Sequence, residues 1–169
     1  FITANVDEFF SFNRYAEQIA LSASSFDEID DFLHYEPTLI EDELLDLFYN
    51  KIGTHQPTLV GFTIPFPGNL FSALRCAQLI KTEFPHIKVV FGGGYCNTEL
   101  RSLYDPRIFN YVDYITLDDG EMPLLKIIEH LDGKVDANAL ESTYVLEKNK
   151  VVYKNRLPTT IVHHSSLPA

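Results

Sequence analysis

Cysteine is scarce in this chain: 169 residues contain two, Cys76 and Cys96. A disulfide scaffold is therefore not indicated, and a reducing compartment, the cytoplasm, is the expected setting. Neither cysteine has a Cys-x-x-Cys partner, so a metal or cluster held by cysteine is not expected within these residues. Basic residues are also few, 13 Lys plus Arg against 24 Asp plus Glu, for a formal charge of -11. Phosphate backbones require a field of Lys and Arg, so nucleic acid is not an expected partner. Long uncharged apolar runs are missing, as is a basic leader ahead of a hydrophobic segment, and neither a membrane span nor a retained signal peptide is expected. The chain opens on Phe1 rather than Met, which leads us to expect a piece of a longer protein. What remains is ample material for a core: 46% hydrophobic and 13% aromatic residues in one domain's length of chain.

The motifs of common catalysts and nucleotide binders are missing too. There is no Gly-x-Gly-x-x-Gly fingerprint, no Gly-x-x-x-x-Gly-Lys-Ser/Thr loop, no serine nucleophile elbow and no His-Glu-x-x-His helix. Cys96 as a nucleophile would need a nearby base, and no histidine offers itself in the sequence. His34, His55, His86 and His130 fall beside turns or helix ends, where solvent exposure is the ordinary outcome. We expect these residues to bind rather than to catalyse.

Charge divides the chain. Residues 1–56 hold 12 acidic residues against Arg14 and Lys51, whereas residues 57–169 hold 12 acidic against 11 basic. In the acidic front, 6–21 has helical spacing through Phe9, Phe12, Ala16 and Ile19. Ser24 or Ser25 could cap a short helix through Phe26, Ile29 and Leu33, and Glu41–Ile52 reads as a helix stopped by Gly53. An acidic helical face is either solvated surface or a seat for a basic partner.

From residue 57 the period changes. Leu59–Ile64 is an apolar run between prolines, as expected of a central strand covered on both faces. A helix follows, with Leu70, Ala73, Leu74, Ala77, Ile80 and Phe84 inward, Arg75, Gln78 and Lys81 outward, and Pro85 ending it. Ile87–Phe91 is a second strand, 98–103 a short helix, and Tyr111–Thr116 a third strand. Asp118, Asp119 and Glu121 then open an amphipathic helix through Leu124, Leu125, Ile127, Ile128 and Leu131, with Pro123 in its first turn. Ser142–Leu146 and Val151–Tyr153 alternate around Glu147–Lys150 as a β-hairpin. Repeated strand-to-helix units imply parallel strands with right-handed crossovers. The fold class expected is α/β: an open, mostly parallel sheet of Rossmann or flavodoxin-like type, flanked by helices, with a C-terminal β-hairpin. Three regions follow: an acidic helical region, 1–56, packed on the same domain; an α/β core, 57–141; and a hairpin and linker, 142–169.

Ligand chemistry in such a sheet belongs at the carboxyl ends of its strands. Gly92-Gly93-Gly94 lies there, either as a tight turn or as a bare floor for a ligand. Thr63 could direct a hydroxyl into the same crevice or simply pack. Pro65, Phe66 and Asn69 make a rigid lip, and Tyr95 with Asn97 could edge a pocket or start a helix. Asp118, Asp119 and Glu121 could cap their helix or contact a ligand or metal.

In order and spacing these pieces resemble the N-terminal cobalamin-binding-type domain of the B12-dependent radical S-adenosylmethionine proteins. The resemblance rests on Pro57 with Leu59-Val60-Gly61-Phe62-Thr63, Asn69, Ile80-Lys81 through Pro85, Val89-Val90-Phe91-Gly92-Gly93, Val112-Asp113-Tyr114, and Asp118-Asp119-Gly120-Glu121, and spans about residues 57–131. It implies a Rossmann-like domain that holds a corrinoid at the carboxyl edge of its sheet. Thr63, Pro65, Phe66, Asn69, Gly92, Gly93, Gly94, Tyr95 and Glu121 would be the cofactor-binding residues. It also implies a downstream radical S-adenosylmethionine domain, carrying a 4Fe-4S cluster and S-adenosylmethionine, as partner, and a small-molecule substrate of unspecified class. This chain lacks the Cys-x-x-x-Cys-x-x-Cys cluster signature and the Asp-x-His-x-x-Gly motif that supplies a lower axial histidine. The fragment therefore has no catalytic centre or metal ligands of its own. A degenerate domain that binds no cobalamin and only positions substrate or packs on its neighbour is the alternative. An unrelated α/β response or nucleotide module would need an acidic phosphoacceptor on a strand before residue 57, and none is evident.

Overall fold

A computed structural model describes residues 26–155; the expected helix at 6–21, the caps Ser24 and Ser25, and the linker beyond 155 lie outside the described residues. The fold is α/β. In chain order the elements are α1 (Phe26–His34), α2 (Leu39–His55), β1 (Leu59–Thr63), α3 (Pro67–Glu83), β2 (Lys88–Gly92), α4 (Gly94–Thr98), β3 (Tyr114–Thr116), α5 (Glu121–Leu131), β4 (Thr143–Glu147) and β5 (Lys150–Lys154). The five strands form one open sheet in the order β1-β2-β3-β4-β5. The β1/β2 and β2/β3 pairs are parallel, and β3/β4 and β4/β5 are antiparallel. Lys148 and Asn149 both take left-handed backbone at the hairpin tip, the geometry a two-residue connection needs to match strand twist.

The two faces of the sheet are covered unequally. On one face Phe62, Ile64, Val89, Phe91 and Ile115 meet α1, α2, α3 and the turns after β2, through Leu33, Ile52, Leu74, Ile80 and Ile108. The other face carries a small cluster, Val90, Tyr114, Val145 and Leu140, closed by Ile127 of α5. Both parallel crossovers keep to the first face, as one crossover hand requires for strands added in one direction.

Several expectations need correction. Leu59–Ile64 was expected at the centre of a sheet, yet among the described residues β1 pairs with β2 alone, and Gly61 and Thr63 are exposed on the thinly covered face. Its apolar run reflects one thick face, with Phe62 between Phe48 and Phe91, rather than two. Gly53 does not stop α2. That helix runs to His55 and ends at Gln56 in left-handed backbone, and it begins with a capping box: Thr38 Oγ1 accepts from the Glu41 amide while the Glu41 carboxylate accepts from the Thr38 amide. The short helix lies at Gly94–Thr98, followed by a 3-10 turn at Leu100–Ser102, and the third strand is reduced to Tyr114–Thr116 by a 3-10 turn at Pro106–Asn110. In α5 only Pro123 and Ile127 are buried, whereas Leu124, Leu125, Ile128 and Leu131 are exposed.

The largest correction concerns Arg75, Gln78 and Lys81, expected to face outward. Arg75 is 4% exposed. Its Nη1 donates to Leu33 O (2.8 Å) and Gln78 Oε1 (3.2 Å), its Nη2 to Phe32 O (2.9 Å) and Tyr35 O (3.0 Å), and its Nε to Glu41 Oε1 (3.2 Å). Gln78 also donates to Leu33 O. The guanidinium thus caps main-chain carbonyls at the carboxyl end of α1, where Phe32 O also accepts from Tyr35 N. Lys81 is half-buried and binds Asp113, which also accepts from Lys88 and the Val89 amide and so ties α3 to the start of β3.

Replacing Arg75 by Leu should cost about 3–5 kcal/mol, because it leaves the buried Glu41 carboxylate unpaired and uncaps the α1 carbonyls. Arg75→Lys should recover little of this, since one ammonium cannot reproduce the planar fork. Chemical denaturation of the three proteins reads the result. Equal midpoints for Arg75→Lys and the parent would show that charge alone is needed.

Candidate functional site

The chain leaves β2 toward the heavily covered face and leaves β3 toward the opposite one, where α5 lies. Between two such diverging connections a parallel sheet opens a crevice at its carboxyl edge. Here it has a volume of about 410 Å³ and is lined by Gly61, Phe62 and Thr63 of β1, Val90, Gly92 and Gly93 from β2, Thr116 of β3, and Gly120, Glu121 and Leu124 at the start of α5. The register Thr63↔Gly92 sets the first two strands level at its floor.

Of the nine residues expected to bind a cofactor, Thr63, Gly92, Gly93 and Glu121 come together here. The others lie elsewhere. Pro65 and Phe66 are exposed, Phe66 at 68%, with Phe66 as the N-cap of α3. Asn69 is in the exposed first turn of α3, and Gly94 is exposed at the start of α4. Tyr95 packs against the core of the other face, where burial raises its pKa. Six lining residues, Gly61, Phe62, Val90, Thr116, Gly120 and Leu124, are not among those expected for this role. Thr116 had a readable signal, a hydroxyl residue at the end of a strand in the same layer as Gly92, but Leu124 could be found only by knowing where α5 sits.

Gly92 and Gly93 serve the fold before any ligand. A Cβ on Gly92 would lie 2.7 Å from Thr116 Oγ1, and one on Gly93, which has φ +101°, would lie 2.9 Å from the backbone N and O of Ile64. Through this contact Ile64 N donates to Gly92 O (2.7 Å) and Tyr95 N to Ile64 O (2.9 Å), locking the β2 turn onto the end of β1. The tight-turn reading of the glycine run therefore applies at Gly93, whereas Gly92, in β2 and without a positive φ, leaves room for the Thr116 hydroxyl. Thr116 Oγ1 donates to Phe91 O (3.2 Å), which leaves acceptor capacity on the crevice side.

The acidic turn divides its labour. The N-cap of α5 is Gly120, with no side-chain cap bond, so Asp118 and Asp119 do not cap it. Asp118, in left-handed backbone, pairs with Arg101 and accepts from Ser142 Oγ (2.9 Å), and its backbone N–H and C=O bond reciprocally with the Asn97 amide group. The Arg101 guanidinium holds the Asp118 carboxyl below the usual carboxylate range. Glu121 alone of the three carboxylates lines the crevice. Among the described residues no Lys, Arg or His lines it, and no group of three or more His, Cys, Asp or Glu could hold a metal ion. A second cavity, about 360 Å³ and bounded by Asp113, His130 and Glu147, lies at the opposite end of the sheet, beside the start of β3 and the end of the antiparallel β4. Both cysteines are buried: desolvation pushes the Cys76 thiol up to about 11 and Cys96 to about 12, so neither is a nucleophile. Among the described residues no helix is long and apolar enough to cross a membrane.

Gly93→Ala should lower stability by roughly 1–3 kcal/mol, since it combines left-handed backbone with a clash against immovable main chain. A thermal midpoint equal to the parent's would refute the contact. The thiols should be inert to a thiol-specific reagent at pH 8 and react stoichiometrically once the protein is unfolded. Because both folded values are raised above the ordinary 9.0, their contribution to stability is complete below pH 9 and is lost as pH climbs from there toward about 12. Denaturation midpoints that stay flat across that window would contradict it.

No family model matches this chain, and no curated protein is significantly similar to it, so the site is defined by its own geometry.

Proposed function

We propose that this chain is a corrinoid-binding domain of a radical S-adenosylmethionine enzyme and that the crevice at the carboxyl edge of its sheet receives part of a cobalamin. The observation that carries the reading is the crevice itself. It stands between diverging strand connections, its volume lies within the range of small-ligand sites of about 300–1,000 Å³, and it combines bare main chain with two hydroxyls. Its size suits one arm of a corrinoid rather than the whole cofactor. Thr63 and Thr116 would orient that arm, with Gly61 and Gly92 beneath it. No histidine lines the crevice among the described residues, so we assign no axial ligand to this chain. The bound group would supply organometallic chemistry, and this chain would supply its position. Cluster-based radical generation would belong to a partner catalytic domain, acting on a small-molecule substrate in the reducing cytoplasm.

One observation favours a second reading, a domain of the same architecture that binds no corrinoid and only orders its neighbour. Gly92 and Gly93 are required by Thr116 and Ile64, so the glycine run alone does not call for a ligand. Against it, neither Phe66 nor Tyr95 fills the crevice, as a degenerate site would lead one to expect.

Protein incubated with hydroxocobalamin and passed through a desalting column should retain the corrinoid absorbance stoichiometrically. A colourless eluate, with no uptake in equilibrium dialysis, would remove the corrinoid reading and leave the second.

A further inference from the structure

We propose that Gly61 is the residue that admits ligand to the crevice, and that the group it admits is uncharged and presents hydrogen-bond donors. This rests on the corrinoid reading above and narrows it to one position and one chemistry.

The glycines around the crevice are bare for different reasons. Gly92 and Gly93 have no room for a Cβ because Thr116 and the Ile64 main chain already occupy it, and Gly94 would meet Pro65 O at 3.3 Å. Gly61 has no such constraint. Among the described residues its Cβ would meet only Val90 Cγ1, at 3.5 Å, an ordinary van der Waals contact, and its φ is not in the left-handed region. Glycine inside a strand is unfavourable for the strand, and the neighbours Val60 and Phe62 are strong strand formers. Among the described residues the packing thus gives no reason for a glycine at 61. Alternation along β1 supplies one: residues 59, 61 and 63 point to the same face, and that face at 61 and 63 is the crevice. Any side chain at 61 would stand in the space between Thr63, Val90 and Leu124.

The lining sets the sign of the ligand. Glu121 is its one charged side chain, and no hydrogen bond or ion pair engages that carboxylate among the described residues. Thr116 spends its proton on Phe91 O, so it too offers an acceptor. An anionic group entering here would meet the Glu121 carboxylate and, among the described residues, no basic side chain, whereas an amide or hydroxyl would find acceptors in Glu121 and Thr116 and a hydroxyl at Thr63 that can serve either way.

The test uses Gly61→Ala and Gly61→Val with cyanocobalamin as probe, followed by equilibrium dialysis, with thermal melts alongside. Both variants should melt at or above the parent's temperature. Val should weaken binding by roughly tenfold or more, the usual effect of excess bulk in a fitted site, with Ala intermediate. Excess inorganic phosphate should not displace the corrinoid from the parent protein. If the parent binds and Gly61→Val binds equally well, the role of Gly61 is overturned while the corrinoid reading stands. Displacement by phosphate would overturn the uncharged ligand. A parent that takes up no corrinoid would overturn the function proposed above and this inference with it.

Discussion

Three helices meet at the guanidinium of Arg75, and no other side chain could hold them in the same way. All five of its N–H donors are used: three on main-chain oxygens at the end of α1, one on Gln78 and one on Glu41. Glu41 is itself committed, since its second oxygen closes the capping box that starts α2. A charge buried to this degree is tolerable only when paired and fully hydrogen-bonded, and each member of the set supplies what the others need. The consequence reaches the sheet. Fixed to α1 and α2 on its outer side, α3 presents Leu70, Leu74, Ala77 and Ile80 inward, and it is the crossover that makes β1 and β2 parallel. The described part of the acidic front, α1 and α2, is therefore joined to the α/β layer by a specific polar contact as well as by apolar packing.

The crevice follows from an asymmetry that this arrangement creates. With α1 to α4 on one face, the connection after β3 crosses to the other, and among the described residues α5 is the one α-helix there. One helix of eleven residues covers β2 to β4 through Ile127 but does not reach across β1, so Gly61 and Thr63 remain bare. The same thin coverage leaves Leu124, Leu125, Ile128 and Leu131 of α5 exposed. A site at this edge thus needs no special device. It is the place where a thick layer and a thin one part.

Much of this was legible in the sequence, and the failures have identifiable causes. Fold class, the parallel start and the hairpin follow from periodicity, because burial on a sheet or helix face imposes a repeat that needs no tertiary knowledge. Arg75 was misread because a helical wheel assigns sides by polarity, and an arginine on the inward stripe looks like an error until the carbonyls it serves are in view. The edge position of β1 was misread because an apolar run reports total burial and does not say which strand is next to which. The Thr38-x-x-Glu41 capping box is written in the residues, whereas Gly53 is a weak stop signal, because glycine inside a helix costs only about 1 kcal/mol relative to alanine. For the site, strand ends are enough to place Thr63 and Gly92 at the crevice, but local sequence cannot tell a residue beside the crevice from one a turn away on the opposite face, where Tyr95 and Asn69 lie.

The two walls of the crevice are also tied to each other. Asp118 stands on the loop that delivers Gly120 and Glu121, and it is held by Arg101 and Asn97 from the segment that follows Gly92 and Gly93, with Ser142 at the approach to β4 as a third anchor. The reciprocal bonds between Asn97 and the Asp118 main chain imitate one rung of a sheet ladder just beyond the place where β2 and β3 stop pairing. The left-handed backbone of Asp118 is affordable because aspartate tolerates it and three partners enforce it. A ligand would thus meet walls already in place, without ordering a loop on arrival, which favours affinity by removing a cost of binding rather than by adding a contact.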